Sequence, residues 1–132
     1  MWLYRDNYHK NRNEWEKYTL REISGDEIAP IDEAQLLING LDRTLKRSGD
    51  YYRLVQPFRH HTSTLTDYFY FLSFCEKPDD FQPSGHINMS LIDNAQLNLN
   101  MTSSINDGEI YLYATNYNFL RFKNGMAGLL YN

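Results

Sequence analysis

Two adjacent histidines, His60 and His61, are the first residues in this sequence whose types suggest chemistry, namely the binding of a metal ion. Neighbouring side chains on an extended strand point to opposite faces, so the two rings cannot easily ligate one ion. No His-x-His or Glu-x-x-His pattern accompanies them. We therefore predict no metal site, and expect one histidine to pack in an interface and the other to be solvated.

A cysteine and three carboxylates could support nucleophilic catalysis or calcium binding. Cys75 could act as a nucleophile beside a histidine, but it lies in an apolar stretch, where a buried thiol is inert. The acidic cluster lacks the spacing of a calcium-binding loop; its members are Glu76, Asp79 and Asp80. No glycine-rich phosphate-binding motif is present. The sequence therefore predicts no catalytic residue, no cofactor and no enzymatic activity.

Two Asn-x-Ser/Thr sequons begin at Asn88 and Asn100. Residue alternation places both asparagines on the polar faces of predicted strands, where N-linked glycosylation is sterically possible. The chain is rich in asparagine, serine and threonine, so two sequons are no excess over chance. We keep both asparagines as candidate modification sites.

The elements that would position these residues are strands. The chain has 132 residues, the length of one domain, and 15% of them are aromatic, which is typical of pleated sheets. Turn signals recur every ~8–12 residues, the spacing of a sandwich or barrel. We count about seven strands and no amphipathic helix of three turns; the clearest strands are residues 1–4, 34–38, 51–56, 68–75, 86–91, 97–101 and 110–115.

These strands predict one domain over residues 1–132. Residues 1–30 form an N-terminal strand followed by a long polar loop, and residues 31–132 form the main strand region. The turn signal at residues 106–108 predicts a hairpin between the last two strands. We expect that hairpin to bring four side chains into one apolar core layer: Leu97, Leu99, Ile110 and Leu112.

Charge and hydropathy exclude two classes of partner. The net charge of -4 argues against direct binding of nucleic acid, which requires a basic face. The longest apolar run, within residues 68–74, is far too short to insert into a membrane. One small basic cluster remains, and we interpret it as a solvated or inter-subunit charge patch; it consists of Arg43, Lys46 and Arg47.

Several motifs, in one order along the chain, resemble a known family. Residues 82–94 read Gln-Pro-Ser-Gly-His-Ile-Asn-Met-Ser-Leu-Ile-Asp-Asn, similar to a Gln-Pro-Ser-Gly…Asn-(Phe/Met)-Ser…Ile-Asp segment of the major capsid proteins of large nucleocytoplasmic DNA viruses. Residues 34–43 and 56–62 are similar to that family's Leu-x-x-Asn-Gly-x-(Asp/Glu)-Arg and Gln-Pro-Tyr-x-His-His-Thr motifs. Residues 1–6, 73–78, 116–121 and 125–129 resemble further segments.

The resemblance implies an all-β fold, an antiparallel jelly-roll sandwich or barrel. Family members carry two consecutive jelly rolls, and this chain resembles the C-terminal part of the second. It is therefore expected to be an incomplete jelly roll, as a fragment, a split-gene product or a truncated paralogue.

The function implied by the resemblance is structural: a capsid protein of a large DNA virus that contributes to the capsomers of an icosahedral shell. The implied partners are further copies in a homotrimer, the missing N-terminal capsid segment and minor capsid proteins. The chain would reside in the virion after assembly in the host cell cytoplasm. The loop at residues 78–85 would present a subunit contact through Pro78, Gln82, Pro83, Ser84 and Gly85.

A second hypothesis is a stand-alone β-sandwich binding module, for example for carbohydrate. Its contact residues would be three tyrosines expected at the surface, Tyr51, Tyr111 and Tyr113. A complete eight-stranded barrel within these residues would favour this module, whereas a first jelly roll encoded upstream would favour the capsid protein.

Overall fold

The structure is a computed structural model that describes residues 1–21, 25–63, 67–102 and 107–130. Strands dominate the described residues, and every helix is five residues long or shorter. None of the described helices has the length and apolar character needed to cross a bilayer. The elements are β1 (Trp2–Asp6), α1 (Asn7–Asn11), β2 (Leu20–Arg21), β3 (Glu27–Ile28), β4 (Ile31–Ile38), β5 (Leu41–Asp42), β6 (Arg47–Ser48), a π-helix (Tyr51–Val55), α2 (Gln56–His60), a 3₁₀ turn (Met89–Leu91), β7 (Ala95–Met101), β8 (Gly108–Leu112), β9 (Leu120–Lys123) and β10 (Met126–Leu129).

Strand β4 is the centre of the largest sheet. It pairs antiparallel with β7 along one edge, with Ala34 opposite Leu99. On its other edge it pairs with β5 near its C-terminal end and with β6 nearer its start. The β4–β5 turn is the predicted Asn39-Gly40 pair, whose φ angles are 51° and 78°, as a two-residue hairpin turn requires.

Strand β1 brings a second sheet to the core. All five of its residues are buried, and it pairs antiparallel with β8. Trp2 also exchanges two backbone hydrogen bonds with Tyr70, at 2.8 and 3.0 Å. The rings of Trp2 and Tyr52 lie 5.2 Å apart. These residues form the core cluster together with Ile31 and Ala34.

The strand predicted at residues 51–56 is wrong. Residues 51–55 form a π-helix, and α2 follows directly, with Pro57 in its first turn. Proline has no backbone N–H to donate to the preceding turn, and the helical pattern changes beside Pro57 from the π-helix to α2. Tyr52 is buried against β4, where its hydroxyl donates to the carbonyl of Ala34 at 3.1 Å.

Three other local predictions are also wrong. Within residues 68–75 only Tyr70 makes a bridge, to Trp2, and no continuous strand forms. Residues 89–91 form the 3₁₀ turn. The polar loop predicted after β1 contains α1, because the Asp6 carboxylate accepts from the N–H of Tyr8 and caps the helix.

The predicted core layer is half right. Leu97 and Leu99 pack against the core cluster, but Ile110 and Leu112 are 52% and 68% exposed. The predicted hairpin between β7 and β8 is also wrong, because β7 pairs with β4 and β8 pairs with β1. Most of the predicted turn lies outside the described residues, although Asp107 and Gly108 are described.

The C-terminal hairpin leaves a large apolar surface uncovered. Strands β9 and β10 pair antiparallel across a turn at Asn124 and Gly125, with φ angles of 52° and 74°. Every residue of both strands is exposed. The large apolar side chains that are more than half exposed here are Phe119, Leu120, Phe122, Met126, Leu129 and Leu130.

Candidate subunit-contact site

The loop at residues 76–85, which we call the contact loop, is tied at its first half to the end of α2. The His60 ring, through Nδ1, hydrogen-bonds the carbonyl of Glu76 at 2.9 Å. The Nδ1 atom of His61 lies 2.9 Å from Oδ1 of Asp79. The backbone N–H and the hydroxyl of Thr62 donate to the other oxygen of Asp79 at 2.7 and 3.1 Å.

This network gives each histidine a structural partner of its own. His60 binds a carbonyl and His61 a carboxylate, so the two rings serve different contacts. Within the described ranges, no group of three or more histidine, cysteine or acidic residues could hold a metal ion. The pKa of Asp79 is lowered, first by the Thr62 backbone N–H and then by His61. Its carboxylate therefore stays charged and holds the loop at neutral pH.

The second half of the contact loop is closed by Ser84. Its hydroxyl accepts a hydrogen bond from the N–H of Lys77 at 2.7 Å and donates to the carbonyl of the same residue at 3.1 Å. Gly85 follows with a φ of 141°, a conformation that side chains disfavour. A Cβ atom at Gly85 would lie 3.4 Å from the Cα of Cys75. The two chain segments therefore approach closely at the base of the loop.

The tip of the loop faces solvent. Gln82 and Pro83 are exposed and Pro78 is half-buried. Phe81 is fully exposed, the most exposed large apolar side chain described in the chain. Sequence reasoning missed Phe81, although an aromatic residue between two aspartates and a Gln-Pro pair was a visible signal. The predicted Gln82 and Pro83 therefore follow Phe81 at the exposed tip, Pro78 lies half-buried earlier in the loop, and Ser84 and Gly85 lie at its base.

Cys75 lies at the entry to the loop and is half-buried rather than enclosed. The hydroxyl of Ser73 donates to the Cys75 carbonyl at 2.6 Å and accepts from its N–H at 3.2 Å. The local turn, rather than an apolar strand, thus sets the position of the thiol.

The two sequon asparagines are exposed but differ in their surroundings. Asn88 precedes the 3₁₀ turn, and its side-chain oxygen accepts from the N–H of Ser90 at 3.1 Å. The predicted strand position of Asn88 is therefore wrong. Asn100 does lie on β7, where its amide donates to Glu33 at 2.9 Å.

The three tyrosines of the binding-module hypothesis lie on different elements. Tyr51 is half-buried in the π-helix and accepts a hydrogen bond from the Gln56 amide at 2.9 Å. Tyr111 is half-buried on β8 and donates to Glu109. Tyr113 alone is more than half exposed.

Relatives of this chain are capsid proteins. The family described as large eukaryotic DNA virus major capsid protein matches residues 1–128. The chain is 43% identical over 107 residues to the major capsid protein of Chrysochromulina ericina virus, which covers 78% of this chain and 18% of that relative. It is 34% identical over 128 residues to the major capsid protein of Paramecium bursaria Chlorella virus 1 (PBCV-1), covering 80% and 29%.

Solved structures give the same result for the fold. PBCV-1 VP54, fitted into a cryo-EM reconstruction of the virophage Sputnik, matches with a TM-score of 0.74 and 34% identity, over 80% of this chain and 31% of that chain. A chain in the quasi-atomic model of the PBCV-1 virus capsid matches with a TM-score of 0.69. The chain spans less than a third of the length of each of these proteins.

These neighbours are double jelly-roll proteins, and the described strands pair antiparallel, which confirms the predicted all-β jelly-roll class. The resemblance found in the sequence motifs is likewise confirmed, by the family match and by relatives that are 43% and 34% identical to this chain over the aligned residues. The chain belongs to the family of large eukaryotic DNA virus major capsid proteins.

Proposed function

We propose that this chain is a structural component of the capsid of a large DNA virus. The match to PBCV-1 VP54, with a TM-score of 0.74 over 80% of the chain, is the observation that carries the proposal. The function follows from shape and surface complementarity between subunits, so we expect no catalytic residue and no cofactor. The chain is expected in the virion, after assembly in the host cell cytoplasm.

The proposed partners are other capsid polypeptides. The exposed apolar side chains of β9 and β10 support this, because patches of this kind mark interfaces. We expect them to be covered by the capsid-protein segment that corresponds to the remaining jelly-roll strands of the relatives. Further copies would complete a homotrimer in an icosahedral shell, and minor capsid proteins would bind the trimers.

Purified virions test this function directly. We expect an antibody against residues 76–85 to detect a protein in the capsid fraction, and mass spectrometry to recover peptides from this sequence at structural-protein abundance. The size of that protein shows whether the sequence occurs alone or within a longer chain. Absence of the sequence from purified virions of the virus that encodes it would contradict the proposal.

The contact loop is proposed as the part of the chain that meets a neighbouring subunit. Its support is the combination of a braced base, at Ser84 and Asp79, with an exposed tip at Phe81. A preorganised loop loses little conformational entropy when it binds. Pro78 and Pro83 add stiffness because each fixes its own φ angle.

A loop variant tests the contact within the full-length capsid protein. We expect Pro83→Ala with Gly85→Ala to disturb the loop, because a side chain at Gly85 is strained, to leave the rest of the chain folded, and to reduce assembly of trimers or shells. Leu91→Ala is the matched control, because Leu91 is 78% exposed outside the loop. Normal assembly of the loop variant, or its failure to fold, would show that the loop has no separate role in assembly.

A further inference from the structure

A cleft of about 250 Å³ opens between the β5–β6 connection, the two consecutive helices and the segment that leads into the contact loop. This volume suits one or two side chains rather than a drug-sized ligand, whose pockets start at about 300 Å³. Its lining residues are Arg43, Thr44, Leu45, Arg47, Tyr51, Gln56, Leu72, Ser73 and Phe74. We call it the arginine cleft.

The arginine cleft is positively charged in a chain whose net charge is -4. Arg43 and Arg47 line it, and no carboxylate is among its described lining residues. Neither guanidinium forms an ion pair within the described ranges of the chain. Arg47 lies over the ring of Tyr51, with its Cζ 5.3 Å from the ring centroid, which holds one positive charge at the cleft.

A neutral donor adds to these two charges. The Tyr51 hydroxyl accepts a hydrogen bond from Gln56 at 2.9 Å, so its own proton is directed to another acceptor. The residues that line the cleft therefore include two arginines and one tyrosine with a hydroxyl proton to donate. A carboxylate is the side chain that would satisfy them, since arginine pairs with carboxylates through two parallel hydrogen bonds.

Part of the remaining wall of the cleft is apolar, beside the small polar residues Thr44 and Ser73. The apolar part is formed by Leu45, Leu72 and Phe74, and Leu45 is 64% exposed. An occupant that matches both halves of the cleft carries a carboxylate next to an apolar or aromatic side chain. Buried aromatic anchors of this kind supply much of the affinity of protein interfaces.

The contact loop presents that combination. Asp80 and Phe81 are consecutive at its tip, and both are exposed. Within the described ranges, the one ion pair of Asp80 is with Lys77, at 3.9 Å between exposed side chains. An exposed pair of this kind contributes little stability. Both residues are therefore available to a neighbouring molecule.

We propose that the arginine cleft receives Asp80 and Phe81 from a second copy of this chain. The Asp80 carboxylate pairs with Arg43 and Arg47, and the Phe81 ring packs on Leu45, Leu72 and Phe74. The loop of one copy and the cleft of the next are different surfaces, so the contact is heterologous and closes into a ring where the rotation allows it. This inference rests on the proposed function, because it names the surface that the contact loop binds.

Cross-linking between two single-cysteine proteins tests the contact. In a Cys75→Ala background of the full-length capsid protein, one protein carries Phe81→Cys and the other Leu45→Cys. The two are mixed before assembly, oxidised, and run on a non-reducing gel. We expect a cross-linked band whose yield is several-fold above that of a control in which Leu91→Cys replaces Leu45→Cys, because Leu91 is exposed but does not line the cleft.

Charge reversal adds a second readout on association of the copies. We expect Arg47→Glu and Asp80→Arg each to weaken association roughly fivefold, the factor for a partly exposed ion pair of about 1 kcal/mol. The two changes combined should restore part of that loss. Rescue distinguishes a direct pair from a general effect of charge.

The outcomes separate this contact from the proposed function. If trimers or shells form but the cross-link does not exceed the control, or the charge reversal is not rescued, the proposed contact is wrong and the capsid role stands. Failure of the unsubstituted protein to assemble overturns the capsid role and the contact with it. If Arg47→Glu abolishes binding of a minor capsid protein and does not affect association of the copies, the cleft binds that minor protein. The second-copy proposal is then wrong.

Discussion

Gly49 occupies a position with no room for a side chain. A Cβ atom there would overlap the carbonyl oxygen of Ile31 and lie 3.2 Å from Cε1 of Tyr70. Gly49 is buried, and its φ is outside the positive range, so steric contact rather than backbone strain requires glycine. Ile31 belongs to the central strand β4 and to the core cluster. Gly49→Ala should therefore displace β4 or the segment that follows β6.

The expected magnitude follows from what would have to move. Overpacking costs about 1–3 kcal/mol when neighbouring side chains can shift. Here the nearest atom is a backbone oxygen in the central strand, so we expect the upper end, about 3 kcal/mol of unfolding free energy. Gly128→Ala is the matched control, because nothing lies within 4 Å of its Cβ position in β10. That change should be neutral or stabilise by roughly 0.5 kcal/mol.

Urea denaturation followed by tryptophan fluorescence, at a protein concentration low enough to limit association, measures the difference. Trp2 is 3% exposed and reports on the core, whereas Trp15 is 60% exposed and is replaced by phenylalanine to isolate the signal. With a urea dependence of about 2 kcal/mol per molar, Gly49→Ala should unfold at roughly 1.5 M less urea. Equal midpoints for Gly49→Ala and Gly128→Ala would refute the steric reasoning.

Three further predictions concern association, the core and pH. The isolated chain should oligomerise or aggregate through its exposed apolar side chains; a stable, monodisperse 15.7 kDa monomer in light scattering would contradict this. Leu99→Ala should lower the unfolding free energy by about 2 kcal/mol and Asn98→Ala by less than about 0.5, because Leu99 packs on the core and Asn98 is exposed; equal losses would mean a wrong register. The hydrogen bond from the Thr62 backbone N–H, followed by the one from His61, lowers the folded pKa of Asp79 below its ordinary value, so the contact with Thr62 is complete at neutral pH and is lost as the pH falls through the folded pKa. Proteolysis of the contact loop should therefore increase in acid, and Asp79→Asn should abolish that increase.

The sheet around β4 was predictable because local signals there agree with tertiary packing. Alternation in β7 places Leu97 and Leu99 toward the core, as observed. The Asn39-Gly40 turn has the two positive φ angles that its composition favours. The turn depends on two adjacent residues, and the alternation in β7 identifies its apolar face, which β4 and the core cluster then cover.

Residues 51–56 were mispredicted because their apolar content fits a strand and a buried helix equally well. Tyr52 is 1% exposed in a helical segment, and its hydroxyl reaches the Ala34 carbonyl across the sheet. A short apolar run cannot be assigned by periodicity alone. Pro57 would have favoured a helix if it had been read as a first-turn residue rather than as the end of a strand.

The contact loop shows the same limit at the candidate site. Its prolines and Gly85 predicted a stiff turn, but the brace from Asp79 to Thr62 joins residues 17 apart, and no local pattern reveals such a pair. The histidines that suggested a metal were explained only when the structure placed each beside a different loop atom. The exposure of Phe81 likewise depends on how the loop is folded.

Strand β8 was placed in the core by its sequence pattern, but its apolar residues are exposed. Alternation assigned Ile110 and Leu112 to the interior, yet both are exposed on a strand whose pairing with β1 is otherwise regular. Alternation reports that a face is apolar and leaves open which polypeptide covers it. The chain spans 31% of VP54, so a face that is exposed here is one that other strands of a jelly roll can cover. On the proposed function, the apolar residues of β8 are therefore interface residues, and their exposure and the expected association of the isolated chain have a single cause.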